Sequence, residues 1–218
     1  MKYTKEKSVY FVRHGQSIDN AQPVFQSLDS PLSDKGRKQA DSIAYRLSTI
    51  PFEILISSPV RRAKETAEAI AKRANKDIVY SDLFVERIKP SEIDGKSWTD
   101  ENANKLWRKW EESLYQSGFR VSDGENYDDT VARVDKALDF LKNLNESKIA
   151  VVTHGYFLRA IVARVLIGNN LTGAIMKQIQ ERASMENTGI TVLQYRDAFE
   201  EDFEWRLWTY NDHSHFAE

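Results

Sequence analysis

Two histidines in this chain follow short apolar runs, and each is itself followed by a glycine. Residues 9–13 lead into His14, and residues 149–153 lead into His154. The sequence contains four histidines, so half of them share this arrangement. Because open α/β sheets bind their ligands at the carboxyl ends of their strands, we expect both imidazoles to meet at that edge.

The residues around these histidines suit an anionic ligand. Arg13 directly precedes the first histidine, and its guanidinium fork matches the oxygens of a phosphate group. On a helical wheel drawn from Pro59, Arg62 lies at the edge of the buried stripe and can reach the sheet edge, whereas Arg61 faces solvent. Gly155 allows backbone amides at a helix N-terminus to approach a ligand. Together these groups predict a phosphoryl site that needs no metal.

Such a site gives its two imidazoles different tasks. One neutral imidazole can attack phosphorus to form a phosphoramidate, while the other stabilises the phosphoryl oxygens. The leaving oxygen needs a proton donor that later acts as a base on water. Glu86, just after residues 83–85 at the expected end of the third strand, is the predicted donor, with Glu92 and Asp94 as alternatives.

The composition narrows the class of protein. The 218 residues are 41% hydrophobic, which fits a single domain over residues 1–218. A net charge of -2 without a basic tail argues against a nucleic-acid partner. The lack of cysteine excludes disulfides, thiolate metal sites and a cysteine nucleophile. Neither a signal-peptide pattern nor a membrane-length apolar stretch is present, so we expect a cytoplasmic protein; no pattern indicates an oligomeric state.

Strand and helix patterns alternate along the chain. The predicted strands cover residues 8–13, 53–57, 78–80, 148–153, 189–194 and 203–208, the last two forming a hairpin around residues 197–202. The predicted helices cover residues 33–48 with Ser33 as N-cap, a segment with Ser58-Pro59 at its start, residues 126–144, residues 156–167, and a last segment reaching Arg182. This order predicts a three-layer α/β/α sandwich with a mostly parallel central sheet.

Two segments depart from the alternation. Residues 81–126, hereafter the lid segment, predict an inserted lid with a helix near residues 100–116. Its aromatic side chains are expected to form a small local core, with Trp98 and Tyr127 as the candidates for substrate contact. His213 and His215 are expected in an unstructured tail rather than in a metal site.

The motifs taken together resemble the histidine phosphatase superfamily, the phosphoglycerate mutase-like proteins. The matching segments follow one another in the family's order and span nearly the whole chain: Arg13-His14-Gly15-Gln16-Ser17 with Asn20, Ser30-Pro31-Leu32-Ser33 with Gly36, Ser57-Ser58-Pro59-Val60-Arg61-Arg62-Ala63 with Thr66-Ala67, Glu86, Gly124-Glu125, and Val152-Thr153-His154-Gly155.

The resemblance implies a role for each matching position. His14 would be the phosphorylated nucleophile and Glu86 the general acid, with no metal or cofactor needed. The rest of the phosphate pocket would comprise Arg13, Arg62 and His154, together with Gly155 and with Ser17 and Asn20 at its border. Structural roles remain open for some of them: Ser17 can bond within its own turn, Asn20 can cap a helix, and Glu125 can cap the helix after it.

The resemblance leaves three functions to compare. Cofactor-dependent mutases of the family carry a tyrosine soon after the acid and a double arginine later in the chain. Here Glu86 is followed by Arg87-Ile88-Lys89, and no Arg-Arg-Ser segment occurs later. We therefore expect a phosphatase acting on a small phosphorylated metabolite, ahead of a phosphoglycerate mutase or a non-catalytic phosphate-binding regulator. Arg87, Lys89 and Lys96 either bind a further anionic group of the substrate or are simply solvated.

Overall fold

A mixed, mostly parallel sheet of six strands forms the centre of the computed structural model, which describes residues 5–197 and 204–216. The strands are β1 Glu6–Arg13, β2 Ile54–Ser57, β3 Ile78–Tyr80, β4 Lys148–Thr153, β5 Ile190–Arg196 and β6 Trp205–Asp212, in the spatial order β3-β2-β4-β1-β5-β6. The first four are parallel, and β5 and β6 are antiparallel to their neighbours. Within the described ranges no helix is both long and apolar enough to cross a membrane.

Helices cover both faces of this sheet. They are α1 Asp34–Leu47, α2 Arg61–Ala74, α3 Glu101–Ser113, α4 Tyr127–Asn143, α5 Gly155–Ile167 and α6 Gly173–Arg182. On one face, α1 and α2 pack against Val12, and on the other, α4, α5 and α6 pack around Phe11. These adjacent residues face opposite layers because side chains alternate along a strand. The predicted three-layer sandwich with a mostly parallel sheet is confirmed.

The two helices nearest the sheet edge begin differently. Ser33 caps α1 as predicted, and its hydroxyl accepts a hydrogen bond from an amide of the first turn at 3.0 Å. By contrast, α2 begins only at Arg61, so the prediction that Pro59 lies in its first turn was wrong. The Ser58 hydroxyl accepts from the amide of Val60, which keeps this stretch outside the helix.

The third strand covers Ile78–Tyr80 as predicted. Its end was also expected at residues 83–85, and that was wrong, because a 3-10 turn at Asp82–Phe84 lies between the strand and Glu86. The last two strands do pair as an antiparallel hairpin, from Ile190–Arg196 to Trp205–Asp212. The predicted turn at residues 197–202 and the start of the last strand at Phe203 fall largely on residues 198–203, which lie outside the described ranges.

The lid segment builds an apolar cluster of its own. This cluster contains Phe25, Ile93, Ala103, Trp110, Leu114, Val121 and, from α5, Tyr156. The aromatic residues of the lid segment therefore form the predicted local core. Tyr127 is not available to a substrate, because it is buried and its hydroxyl donates to the carbonyl of Leu171 at 2.7 Å. Trp98 is 53% exposed and contributes nothing to this core.

His215 packs against the domain, so the prediction that it lies in an unstructured tail was wrong. A 3-10 turn at Ser214–Phe216 places this half-buried imidazole between two elements. Its Nδ1 lies 3.1 Å from Nη1 of Arg46 on α1, and its Nε2 lies 3.3 Å from the hydroxyl of Thr188. Because a guanidinium only donates, Nδ1 is the acceptor and Nε2 carries the proton.

Candidate active site

The two histidines of the repeated pattern meet at the carboxyl edge of the sheet. Strands β1 and β4 are parallel neighbours in a register that pairs Arg13 with Thr153, so the next residue of each strand leaves the sheet at the same level. The ring centroids of His14 and His154 are 5.0 Å apart, with the rings tilted by 59°. His14 is 2% exposed and His154 is 0% exposed. The sequence prediction of a shared location is confirmed.

The hydrogen bonds of His14 leave one of its ring nitrogens unprotonated. Its Nδ1 lies 2.7 Å from the carbonyl oxygen of Gly15, which only accepts, so Nδ1 carries the proton. Its Nε2 is then a bare nitrogen, and it accepts a hydrogen bond from Nε of Arg62 at 3.1 Å. Burial, followed by the charges of Arg62 and Arg13, holds the pKa of His14 well below 6.5. The imidazole is therefore neutral, the form that can attack phosphorus.

His154 is a neutral imidazole as well. Burial lowers its pKa well below 6.5, and the neighbouring Arg62 adds to the effect. Its Nε2 shares a hydrogen bond of 2.8 Å with the hydroxyl of Ser58, while its buried Nδ1 has no partner among the described residues. A buried nitrogen without a partner leaves one hydrogen-bonding position for a phosphoryl oxygen.

Two arginines, Arg13 and Arg62, lie close to the histidines. Arg62 is 2% exposed and donates from Nη1 to the carbonyl of Ser27 at 3.1 Å. Burial lowers its pKa to about 10, so it stays charged at neutral pH. Arg13 donates from Nη1 to the carbonyl of Met185, and its buried Nε has no partner in the described structure. A Cβ at Gly155 would lie 3.2 Å from that Nε, so the glycine permits this close approach.

Glu86 is held beside this cluster by the start of α5. Its Oε1 accepts from the amides of Arg87 at 3.0 Å and Phe157 at 3.1 Å, and its Oε2 accepts from the amide of Tyr156 at 3.3 Å. Burial lowers the pKa of Arg13 and of Arg62, and the nearby Glu86 carboxylate opposes this shift in both. Glu86 is thus part of the same electrostatic cluster. Its Oε2 has only one long bond and is the oxygen available for proton transfer.

The two alternative acids are engaged elsewhere. Glu92 accepts from the hydroxyl of Ser122 at 2.8 Å on the outside of the lid segment. Asp94 pairs with Lys89 at 2.5 Å, and both residues belong to the lid segment. Neither carboxylate has a hydrogen bond to a histidine or an amide of the cluster among the described contacts. The charge of Asp94 acts on Arg62, but that of Glu86 acts on both Arg62 and Arg13, and the Glu86 carboxyl accepts from amides that follow His154.

Ser17 and Asn20 bond to one another rather than to the histidines. The amide of Ser17 donates to Oδ1 of Asn20 at 3.3 Å, and the amide of Asn20 donates to the Ser17 hydroxyl at 3.2 Å. Gln26 also donates to that hydroxyl, and Ser17 is fully buried. These contacts match the turn-forming role that the sequence left open for Ser17. A place at the border of the phosphate pocket remains a prediction for both residues.

Arg133, which no sequence pattern singled out, fixes the backbone that carries Glu86. Arg133 on α4 donates to the carbonyls of Leu83 at 3.2 Å, Val85 at 2.8 Å and Glu86 at 3.3 Å. The same guanidinium forms a buried ion pair with Glu125 at 2.7 Å. Glu125 therefore does not cap α4, as one of its open structural roles proposed. In the sequence, Arg133 is marked only by the position of its charge next to the apolar stripe of α4.

Asn187 and Thr188 were also missed. Nδ2 of Asn187 donates to the carbonyl of His14 at 2.8 Å, and the amide of Thr188 donates to the carbonyl of Arg13 at 2.8 Å. Thr188 has a φ of 60°, a left-handed conformation that is costly for a β-branched residue. This strained turn holds the nucleophile loop from the side of β5. Within the described residues, no group of three or more His, Cys, Asp or Glu side chains is arranged to hold a metal ion.

Comparisons with known proteins agree with this geometry. Residues 9–211 match the family model of the histidine phosphatase superfamily, branch 1. A protein of Shigella dysenteriae named probable phosphoglycerate mutase GpmB is 30% identical over 213 residues, covering 95% of this chain and 94% of the relative.

Solved structures share the fold. A mycobacterial glucosyl-3-phosphoglycerate phosphatase superposes with a TM-score of 0.70 at 24% identity, covering 94% of this chain and 99% of the other. A phosphoserine phosphatase of Entamoeba histolytica gives 0.73 at 22% identity, with 96% and 99% covered. A phosphoglycerate mutase of Bacillus anthracis gives 0.71 at 19% identity, with 98% and 96% covered.

Proposed function

The chain belongs to the histidine phosphatase superfamily, whose members transfer phosphoryl groups, and from that premise we propose that it is a phosphatase. It would hydrolyse a small phosphate monoester through a phosphohistidine on His14, without a metal. The observation that carries the proposal is the neutral Nε2 of His14, which Arg62 faces at 3.1 Å inside a buried cluster. An unprotonated nitrogen beside a cation suits attack on a phosphate, because the cation also attracts the anionic oxygens toward that nitrogen. We expect this to take place in the cytoplasm, on a metabolite rather than on nucleic acid.

In the first step, the Nε2 lone pair of His14 attacks phosphorus and the ester P–O bond breaks. The leaving oxygen takes a proton from Glu86, which enters the step as the carboxylic acid. Arg13, Arg62 and His154 stabilise the phosphoryl oxygens as their charge is redistributed. The products of this step are an alcohol and a phosphohistidine.

In the second step, water replaces the alcohol. Glu86, now a carboxylate, removes a proton from the water as its oxygen attacks phosphorus, and the N–P bond breaks. Inorganic phosphate forms, His14 regains its neutral lone pair, and Glu86 regains its proton. The amide bonds from α5 keep the Glu86 carboxyl in one place through both steps.

A mutase is the second candidate, because the relative named probable phosphoglycerate mutase GpmB matches almost the full chain. A mutase would pass the phosphoryl group from His14 to another hydroxyl of the substrate rather than to water. Against this stands the sequence after Glu86, which has neither the close tyrosine nor the double arginine of cofactor-dependent mutases. Incubation with 3-phosphoglycerate decides between the two, since a phosphatase releases inorganic phosphate and a mutase produces 2-phosphoglycerate.

The decisive test measures phosphate release from p-nitrophenyl phosphate in the presence of a chelator. We expect turnover by the wild-type protein, none by His14→Ala, and wild-type turnover by the control His213→Ala, whose side chain is exposed. An acid-labile phosphoryl adduct should form on the wild-type protein and not on His14→Ala. Retained activity in His14→Ala would rule out the phosphohistidine. A folded wild-type protein that binds phosphate but releases none would instead support the non-catalytic regulator.

A further inference from the structure

A charged cleft of about 480 Å³ opens between α3, α5 and α6, outside the phosphate site. Six of the side chains that line it are Arg108, Tyr115, Tyr156, Arg159, Lys177 and Gln180. Arg87, the residue after Glu86, lines it as well, and its guanidinium lies 4.9 Å from the ring centre of Tyr156. The cleft thus begins next to the predicted general acid.

The hydrogen bonds of Glu86 show which side of the site the cleft occupies. The carboxyl oxygens are bonded by the amides of Arg87, Tyr156 and Phe157, and the first two of these residues line the cleft. A larger groove of about 1660 Å³ reaches Arg133, but Arg133 contacts only the main-chain oxygen of Glu86. A general acid must touch the leaving oxygen, so a leaving group protonated by Glu86 would lie on its carboxyl side, next to two residues of the cleft wall.

The charges in the cleft favour an anion. Two of its three glutamates are already opposed by cations: Glu111 lies 3.8 Å from Arg87, and Glu181 lies 3.9 Å from Lys177. Arg159, half-buried on α5, donates from Nε to the neutral side chain of Gln180 at 2.7 Å. It has no carboxylate contact among the described residues. Burial is the main cause that lowers the pKa of Arg13, and the charge of Arg159 adds to it, so Arg159 lies within electrostatic reach of Arg13.

A buried hydroxyl on the cleft wall also lacks a partner. Tyr156 is 4% exposed, and its Oη makes no hydrogen bond within the described structure. Burial raises the pKa of Tyr156 well above its usual value, so the hydroxyl stays protonated and can donate. A buried donor without an acceptor is costly, and an anionic oxygen would satisfy it.

We propose that this cleft binds a second anionic group, a carboxylate or a phosphate, carried by the leaving group of the substrate. Arg159 and the Tyr156 hydroxyl provide the contacts, with Arg108 at the exposed rim. The inference rests on the proposed function only for the direction in which the leaving group points. The substrate class is then a phosphate monoester with a second negative group, and Arg159 is the residue that selects it.

The test compares matched substrate pairs that differ only in the second group. 3-Phosphoglycerate is paired with glycerol 3-phosphate, which lacks the carboxylate, and fructose 1,6-bisphosphate is paired with fructose 1-phosphate. For the wild-type protein, kcat/KM should be higher for the doubly anionic member of at least one pair. In Arg159→Met that preference should fall about tenfold or more, because a charge-assisted contact is lost. Arg159→Lys, which keeps the charge, should retain part of the preference.

The controls separate this site from the other groove and from misfolding. Lys136→Met removes an exposed cation from the larger groove and should leave the preference unchanged. The preference is a ratio of two kcat/KM values for the same variant, so a general change of phosphate-site activity in Arg159→Met cancels from it. The pair whose preference falls identifies the anion as carboxylate or phosphate.

Failure of the proposed function gives a different result. If the wild-type protein hydrolyses none of these esters, calorimetric binding of the same compounds to wild type and Arg159→Met replaces kcat/KM. A wild type with no preference in either pair would overturn the proposal. So would a preference that is unchanged in Arg159→Met, or one that is lost in Lys136→Met instead.

Discussion

Acid should destabilise this protein through its two active-site histidines. In the unfolded chain each imidazole has a pKa of about 6.5. In the folded protein, burial lowers the pKa of His14 and of His154 well below that value. As pH falls through about 6.5, the unfolded chain therefore takes up protons that the folded chain does not, and the free energy of unfolding falls. Between about pH 7 and about pH 5.5 the loss is about 1.3 kcal/mol for each of these two histidines. Burial lowers the pKa of His215 to about 4, so this histidine adds a similar loss to the wild type and to both variants.

Urea denaturation at the two pH values measures this loss. The variants His14→Gln and His154→Gln remove one titrating group each, so each should lose about 1.3 kcal/mol less than the wild type over the same interval. His213→Gln, a substitution at an exposed histidine, serves as the control and should keep the wild-type loss. Equal losses in the wild type and in both active-site variants would refute the reasoning, because the histidines would then be as easily protonated in the fold as in the unfolded chain.

Three further substitutions test the site. Glu86→Gln should slow hydrolysis of glycerol 3-phosphate by roughly two to four orders of magnitude. It should slow hydrolysis of p-nitrophenyl phosphate far less, because nitrophenolate leaves without a proton. Equal slowing of the two reactions would contradict the acid role of Glu86. Asn187→Ala removes the donor to the carbonyl of His14 and should lower kcat about tenfold. It should also lower the free energy of unfolding, measured with urea, by about 1 kcal/mol. An unchanged kcat would show that Asn187 does not position His14. Arg133→Met leaves the buried carboxylate of Glu125 unpaired and should lower the free energy of unfolding by about 3–5 kcal/mol in the same assay. A loss below about 1 kcal/mol would show that the pair is not buried in solution.

Local patterns were enough to predict the sheet and the meeting of the two histidines. Apolar runs placed β1 and β4 within two residues of their observed bounds, and parallel pairing then aligned their ends. The helical wheel also separated Arg62, which is buried against His14, from Arg61, which lies on the surface beside Glu65. These inferences succeeded because each depends on spacing within a single element.

The contacts that support the site could not be predicted from spacing within one element. Asn187 reaches the carbonyl of His14 across 173 positions of sequence, and Arg46 meets His215 across 169. Each is one directional hydrogen bond set by how separate elements pack, and it leaves no periodic signal in either segment. A tail that looked unstructured was in fact fixed by such a bond, and Arg133 was overlooked for the same reason.

The proposed nucleophile, Nε2 of His14, is engaged by the hydrogen bond from Arg62 before a substrate arrives. Its lone pair is directed at a guanidinium, so a neutral electrophile such as an anhydride or an alkylating agent meets a nitrogen that is already engaged. An anion can draw the guanidinium onto its own oxygens and thereby release the nitrogen. Recognition of charge and activation of the nucleophile are then a single event, and the protein discriminates between electrophiles before any substrate pocket contributes.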